Sequence, residues 1–210
     1  MINDPGAWGS DKPEYLILGF SKGSTQAGIY DNGRFEDVAF AKMRGRLSEV
    51  LKALGLISQE ETVDERIADP KSKIAFGSLI RCSVSRADDK NGIYSCTGPI
   101  INKSFNEIPD VIANCSEKYL KALPRELKAV IMLGNSDQYV KAVRRLLERM
   151  FSGTYRVIND MAVWADGKVW VHTAHPSGLN GHFNTWLTSE TSSGYKRIQA
   201  LDAMTQITED

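Results

Sequence analysis

Short apolar runs recur along this chain, two of them ending in glycine, and stretches with helical periodicity lie between them. Tyr15-Leu-Ile-Leu-Gly19 is the first, Lys73 to Arg81 carries the second, and Leu127 to Gly134 is the third. Apolar runs this short and without polar alternation fit a strand covered on both faces, because neither side can then face water. Phe40 to Leu56 places Met43, Leu47, Val50, Leu51 and Leu54 at helical spacing before Gly55. Ile108 to Ala122 puts Ile112, Ala113, Tyr119 and Leu120 on one face, and Asp137 to Met150 reads as a second amphipathic helix. Buried strands alternating with such helices predict an α/β protein: a three-layer α/β/α sandwich with a mainly parallel central sheet, in one domain over residues 1–210.

The rest of the chain punctuates this pattern. Residues 1–13 read as an irregular lead-in. Residues 20–36 hold Gly23, Gly28, Asn32 and Gly33 and are predicted as a loop, as is the polar stretch 83–106. Glu60 to Pro70 is an acidic surface turn of helix. Met161 to Trp164 and Lys168 to Thr173 flank Asp166-Gly167, a strong hairpin signal. Residues 184–206 are predicted as one C-terminal helix. In parallel sheets ligands sit beyond the carboxyl ends of the strands. Three strands run into distinctive loops there, from Gly19, from Arg81 and from His175, so one site assembled from these loops is expected.

Composition narrows what that site can serve. The 210 residues carry 26 Lys+Arg against 26 Asp+Glu, with 42% hydrophobic and 25% charged residues. This is the balance of a globular protein, and it excludes a polycation that coats nucleic acid. A local basic groove stays open, and two segments could contact phosphates: Lys42, Arg44, Arg46 and Lys52, then Lys141, Arg144, Arg145 and Arg149. A charged helix face is also commonly just solvated. No apolar run reaches the ~18 residues of a membrane span. Met1 to Pro13 lacks the pattern of a secretory signal, so the expected location is the cytoplasm. The three cysteines, Cys82, Cys96 and Cys115, form no Cys-x2-Cys unit and read as reduced structural thiols, with no metal expected.

Two loops could carry chemistry. Gly19-Phe-Ser-Lys-Gly-Ser-Thr-Gln-Ala-Gly28 is rich in glycine and hydroxyls, and its amides could cradle an anion or simply join a strand to a helix. It is not a P-loop, because the Gly-Lys-[Ser/Thr] order is missing. His175-Pro-Ser177 follows an apolar strand, so His175 is a candidate general acid or electrostatic stabiliser, or a histidine bonded to a tight turn. His172 falls on the opposite strand face, which argues against a two-histidine metal site. His182 is predicted at the surface.

The order of these pieces resembles the uracil-DNA glycosylase superfamily, nearest to its bacterial and archaeal iron–sulfur branches. Leu16-Ile-Leu-Gly-Phe-Ser-Lys-Gly23 resembles the first motif, Phe40-Ala-Lys-Met-Arg-Gly-Arg-Leu47 the aromatic segment and its helix, and Gly77-Ser-Leu-Ile-Arg-Cys82 the strand that reads the base. Cys115 to Gly134 resembles the next helix and strand, and His175-Pro-Ser177 the last motif. The resemblance implies a base-flipping N-glycosidic hydrolase acting on double- or single-stranded DNA as a monomer, on uracil or a bulkier modified pyrimidine, in repair or in defence against foreign DNA. It implies catalytic roles for His175, Ser21, Gln26 and Asp31, and base binding by Phe20, Phe40 and Ser78. The implied DNA contacts are Lys22, Arg44, Arg46, Ser177, Leu179 and Asn180, with Leu179 as the wedge. The chain departs from the family in lacking the carboxylate or Asn at Ser21, in carrying Ser78 for the uracil-reading Asn, and in lacking the N-terminal Cys-x2-Cys. An iron–sulfur cluster would have to use Cys82, Cys96, Cys115 and an unidentified fourth ligand. The alternative to an enzyme is a catalytically inactive DNA-binding module on the same fold. A triad hydrolase is disfavoured by the missing Gly-x-Ser-x-Gly elbow.

Overall fold

The structure is a computed structural model, and it describes residues 6–23, 26, 28, 29, 33–88, 92–188 and 190–208. Its strands are β1 (Trp8–Gly9), β2 (Tyr15–Gly19), β3 (Ile74–Ser78), β4 (Arg86–Asp88), β5 (Ile93–Ser95), β6 (Ala129–Leu133), β7 (Arg156–Asn159), β8 (Ala162–Ala165) and β9 (Lys168–Thr173). Its helices are α1 (Phe35–Val38), α2 (Arg44–Ala53), α3 (Val63–Ala68), α4 (Gly98–Glu107), α5 (Pro109–Leu120), α6 (Asp137–Met150), α7 (Phe183–Thr188) and α8 (Ser192–Thr205).

A seven-stranded sheet in the order β1-β3-β2-β6-β9-β8-β7 forms the middle layer. The four central strands, β3, β2, β6 and β9, are mutually parallel, and β1 and β8 add antiparallel on either side. The apolar runs explain this placement, since the central strands are buried almost throughout. Side chains alternate between the two faces, as the strand period requires. Ile17, Ile131 and Val171 pack on one face with Leu47 and Leu51 of α2, Trp186 of α7 and Ala200 of α8. Leu16, Leu18, Met132 and Trp170 pack on the other with Ile112 of α5 and Val143 and Leu147 of α6. The expected α/β architecture with a mainly parallel sheet between helices is therefore present.

Three local expectations are corrected, and one strand is added. The helix predicted from Phe40 begins at Arg44, because Phe40 and Lys42 adopt positive φ (51° and 63°), which no helix tolerates. The stretch 83–106 is not one loop: β4 and β5 pair as a hairpin, and α4 starts at Gly98 with Pro99 in its first turn. The C-terminal segment divides into α7 and α8, with Thr191 as the N-cap of the second. Arg156–Asn159, unassigned from sequence, pairs with β8 at the sheet edge. No helix among the described residues is long and apolar enough to cross a membrane.

Candidate functional site

A cavity of about 600 Å³ opens at the carboxyl ends of the parallel strands. The β2 exit contributes Gly19 to Gly23, and the end of β3 contributes Gly77 and Ser78. The β6 exit contributes Leu133 to Ser136, and the β9 exit His175, Ser177, Leu179 and Asn180. Ala39, Phe40 and Met43 close one side, and Cys96 to Pro99 with Asn102 the other.

The floor is held by continued strand pairing. Leu79 N–H donates to Gly19 O and Ile80 N–H to Phe20 O, both at 2.8 Å. Lys22 and Ser83 form a further parallel bridge, and Ser83 Oγ donates to Lys22 O at 2.8 Å. The first motif thus leaves the sheet as a paired ribbon. Its polar residues are engaged in different ways. Ser21 Oγ accepts Val84 N–H at 3.4 Å and lies 4.0 Å from Cys96 Sγ. Gln26 accepts Gly23 N–H through Oε1 and donates from Nε2 to Val38 O, both at 3.1 Å, so its amide staples the loop to the segment before Phe40. The Lys22 side chain lines the cavity at 1% exposure. Phe20 lines it as well, while its ring packs against Phe105 and Tyr139.

Phe40 is positioned by strain that its neighbours over-determine. Arg44 donates from Nε to Ala39 O at 2.9 Å, and from Nη2 to Glu36 O, while Nη1 reaches Asp64. The Phe40 ring lies edge-on to Phe76, with centroids 6.0 Å apart. Arg44 thereby shapes the wall and is not among the residues that line the cavity. Arg46 is similar: Nη1 donates to Ser177 O at 2.7 Å and the guanidinium stacks 4.8 Å from the Phe183 centroid, so it buttresses the last motif from behind.

That last motif is a tightly bonded loop. Ser177 N–H donates to His175 Nδ1 at 3.1 Å. An accepting Nδ1 puts the proton of the neutral ring on Nε2. Burial pushes His175 down to about 4, so the ring is neutral at pH 7. Asn180 Nδ2 donates to His175 O at 2.9 Å, and Asn180 Oδ1 accepts His182 N–H at 3.1 Å. Leu179 N–H donates to Ser177 Oγ at 3.2 Å, which holds the Leu179 side chain out on the rim at 91% exposure. His182 is at the surface as expected. His172 is buried against Tyr139, with Nδ1 2.8 Å from Gly134 O.

The cavity therefore gathers Ser21, Lys22, Gln26, Phe20, Phe40, Ser78, His175, Ser177, Leu179 and Asn180 from the sequence-predicted set. Asp31 lies outside the described residues. Met43, Cys96, Asn135, Ser136 and Tyr139 were not foreseen. The Gly134 terminus of the third apolar run, at φ 132°, could have pointed to the β6 exit by the same strand-end rule. Ser136 caps the start of α6, so a helix N-terminus borders the cavity. No carboxylate stands among the described lining residues, which leaves the site neutral to positive. Burial raises both the Cys96 thiol and the Tyr139 phenol, keeping them protonated.

The thiols stand at separate places around the site. Cys96 stands beside Ser21, Cys115 Sγ accepts Arg81 N–H at 3.3 Å, and no three His, Cys, Asp or Glu among the described residues are grouped to hold a metal ion. In comparisons with known proteins, the chain matches no family model and no curated protein.

Proposed function

We propose that the protein is a DNA glycosylase on a uracil-DNA glycosylase-like sandwich. It draws one nucleotide out of DNA into the cavity and hydrolyses its N-glycosidic bond, acting on uracil or a bulkier modified pyrimidine in repair or defence. The observation that carries this reading is His175: a neutral ring with its proton on Nε2, lining a cavity with no carboxylate among its described residues, beside an outward-held leucine.

The chemistry follows from those features. As the C1′–N1 bond breaks, its electron pair stays on the pyrimidine and spreads onto O2. A neutral Nε2–H donates to that oxygen, and Lys22 and the α6 N-terminus favour the same charge. Water adds to C1′ and its proton passes through solvent to the departing pyrimidine anion, which leaves the neutral base and the abasic sugar. Phe40 offers a stacking surface, and Ser78 leaves more space at the base edge than an amide would. Leu179 fills the gap in the duplex.

Oligonucleotides carrying uracil, 5-substituted or glycosylated pyrimidines test this, with abasic sites read by alkaline strand cleavage. His175→Ala should lose release on the order of 10²–10³-fold and keep DNA binding. The absence of any carboxylate among the described lining residues to activate water favours a second reading, a DNA-binding module without the chemistry. Binding without release from every substrate would select that reading.

A further inference from the structure

A second depression adjoins the cavity and takes no part in the chemistry above. It has a volume of about 690 Å³ and runs between α4 and α6. Its described lining carries four cations, Lys103, Lys141, Arg145 and Arg149, and no carboxylate. All four are exposed. Three of them repeat every fourth residue along α6, so they form one stripe with steps of about 6 Å of axial rise. The fourth, Lys103, faces them from α4. Arg144, their neighbour in sequence, is turned away, and its Nη2 donates to Asn159 O at the sheet edge. The structure thus sorts the basic run of α6 into one inward and three outward members.

The groove is continuous with the cavity. Pro99 and Asn102 line both, and Asn102 Nδ2 donates to Gln138 Oε1 at 3.0 Å across the junction. Because α6 begins at the cavity mouth and runs away from it, the stripe starts near the site and leads outward along the flank. A row of cations with amide side chains and no acid in the described lining complements a repeating anion rather than a single ion.

We infer that this groove is a track for the phosphodiester backbone of the DNA strand whose nucleotide enters the cavity, with Lys141, Arg145, Arg149 and Lys103 meeting successive phosphates. The inference rests on the glycosylase-type reading for its ligand but not for its chemistry. It predicts that affinity depends on strand length on one side of the extracted nucleotide, and that the groove residues set the salt dependence.

Fluorescence anisotropy with single-stranded oligonucleotides of increasing length, across a range of about 50 to 300 mM salt, tests it on the full chain. The variant Lys141→Gln/Arg145→Gln/Arg149→Gln should bind on the order of 10- to 100-fold more weakly to long strands, and its log K against log salt slope should shrink by about 2. Lys121→Gln/Arg125→Gln, exposed cations outside the groove, should leave both unchanged, and matched melting temperatures show that each variant is folded. Equal affinity and slope in the groove variant overturn the inference, even if the wild-type protein releases a base. A lost slope in a protein that releases no base supports the groove and rejects the glycosylase reading. A wild-type chain that binds no DNA rejects both.

Discussion

Leu179 is the residue whose environment is least explained by folding. A leucine at 91% exposure contributes no burial to stability, yet its backbone is fixed by Ser177 Oγ in a loop that Arg46 and Asn180 also hold. An apolar side chain held rigidly in water suits insertion between bases, where leaving water offsets the cost of opening the stack. Leu179→Ala should therefore leave the melting temperature unchanged and lower base release from duplex DNA about tenfold or more, with a smaller loss on single strands, where no stack must be opened. Equal losses on both substrates would remove the wedge role. His175, the other anchor of this loop, was visible in the sequence as a histidine after a strand. Its tautomer was not, because that depends on the backbone N–H of Ser177 curling back onto Nδ1.

At the scale of elements, the β8–β9 hairpin shows local chemistry deciding structure. Asp166 and Gly167 both take positive φ (53° and 71°), the geometry of a two-residue turn matched to strand twist. Lys168 Nζ closes the turn on Asp166 O at 2.8 Å. A Cβ at Gly167 would meet nothing within 4 Å, so substitution carries only the backbone cost. Gly167→Ala should destabilise by about 1 kcal/mol, seen as a fall of about 2–4 °C in melting temperature, without altering DNA affinity. This turn was legible because its signal is confined to two residues. The start of α2 was not legible from the same kind of reading. Apolar spacing extends back toward Phe40, but Arg44 and Gln26 hold residues 36–39 in a different path through side-chain bonds to backbone carbonyls that apolar periodicity does not register.

For the molecule as a whole, buried His172 and half-buried His175 make stability depend on pH. Burial pushes His172 down to about 4, despite its bond to Gly134 O, and His175 to about 4. Both folded values lie below the usual 6.5, so the unfolded chain binds protons first as pH falls. The stability contributed by the neutral rings is complete above pH 6.5, is lost progressively from 6.5 down to about 4, and changes no further below that. For His172, at 1% exposure, the loss is on the order of 3 kcal/mol. Urea midpoints should fall across this window, and His172→Asn, whose amide can still donate to Gly134 O, should flatten the fall. An unchanged slope in the variant would assign the effect elsewhere. Glu14, held low by Lys128 and Lys73, and Asp137, held low by Lys196, add losses only at more acid pH.

The sequence alone determined the layered architecture, the central strands and the strand ends at which the cavity opens. Runs such as Leu16 to Leu18 and Val130 to Leu133 have no polar position to turn toward water, so they can only be interior strands between helices. What the tertiary structure decided was the use of each polar side chain. Arg44, Arg46 and Gln26 carry the same chemistry whether they face DNA or the protein, and only the folded chain shows them bonded inward. The converse holds for Lys141, Arg145 and Arg149: a helix face that could have been merely solvated becomes one wall of a groove, because α4 folds against α6 and brings Lys103 opposite. Burial patterns are local properties of a segment, whereas hydrogen-bond partners are set by which backbone groups the fold brings within reach, from Ala39 five residues from Arg44 to Ser177 at 131 from Arg46.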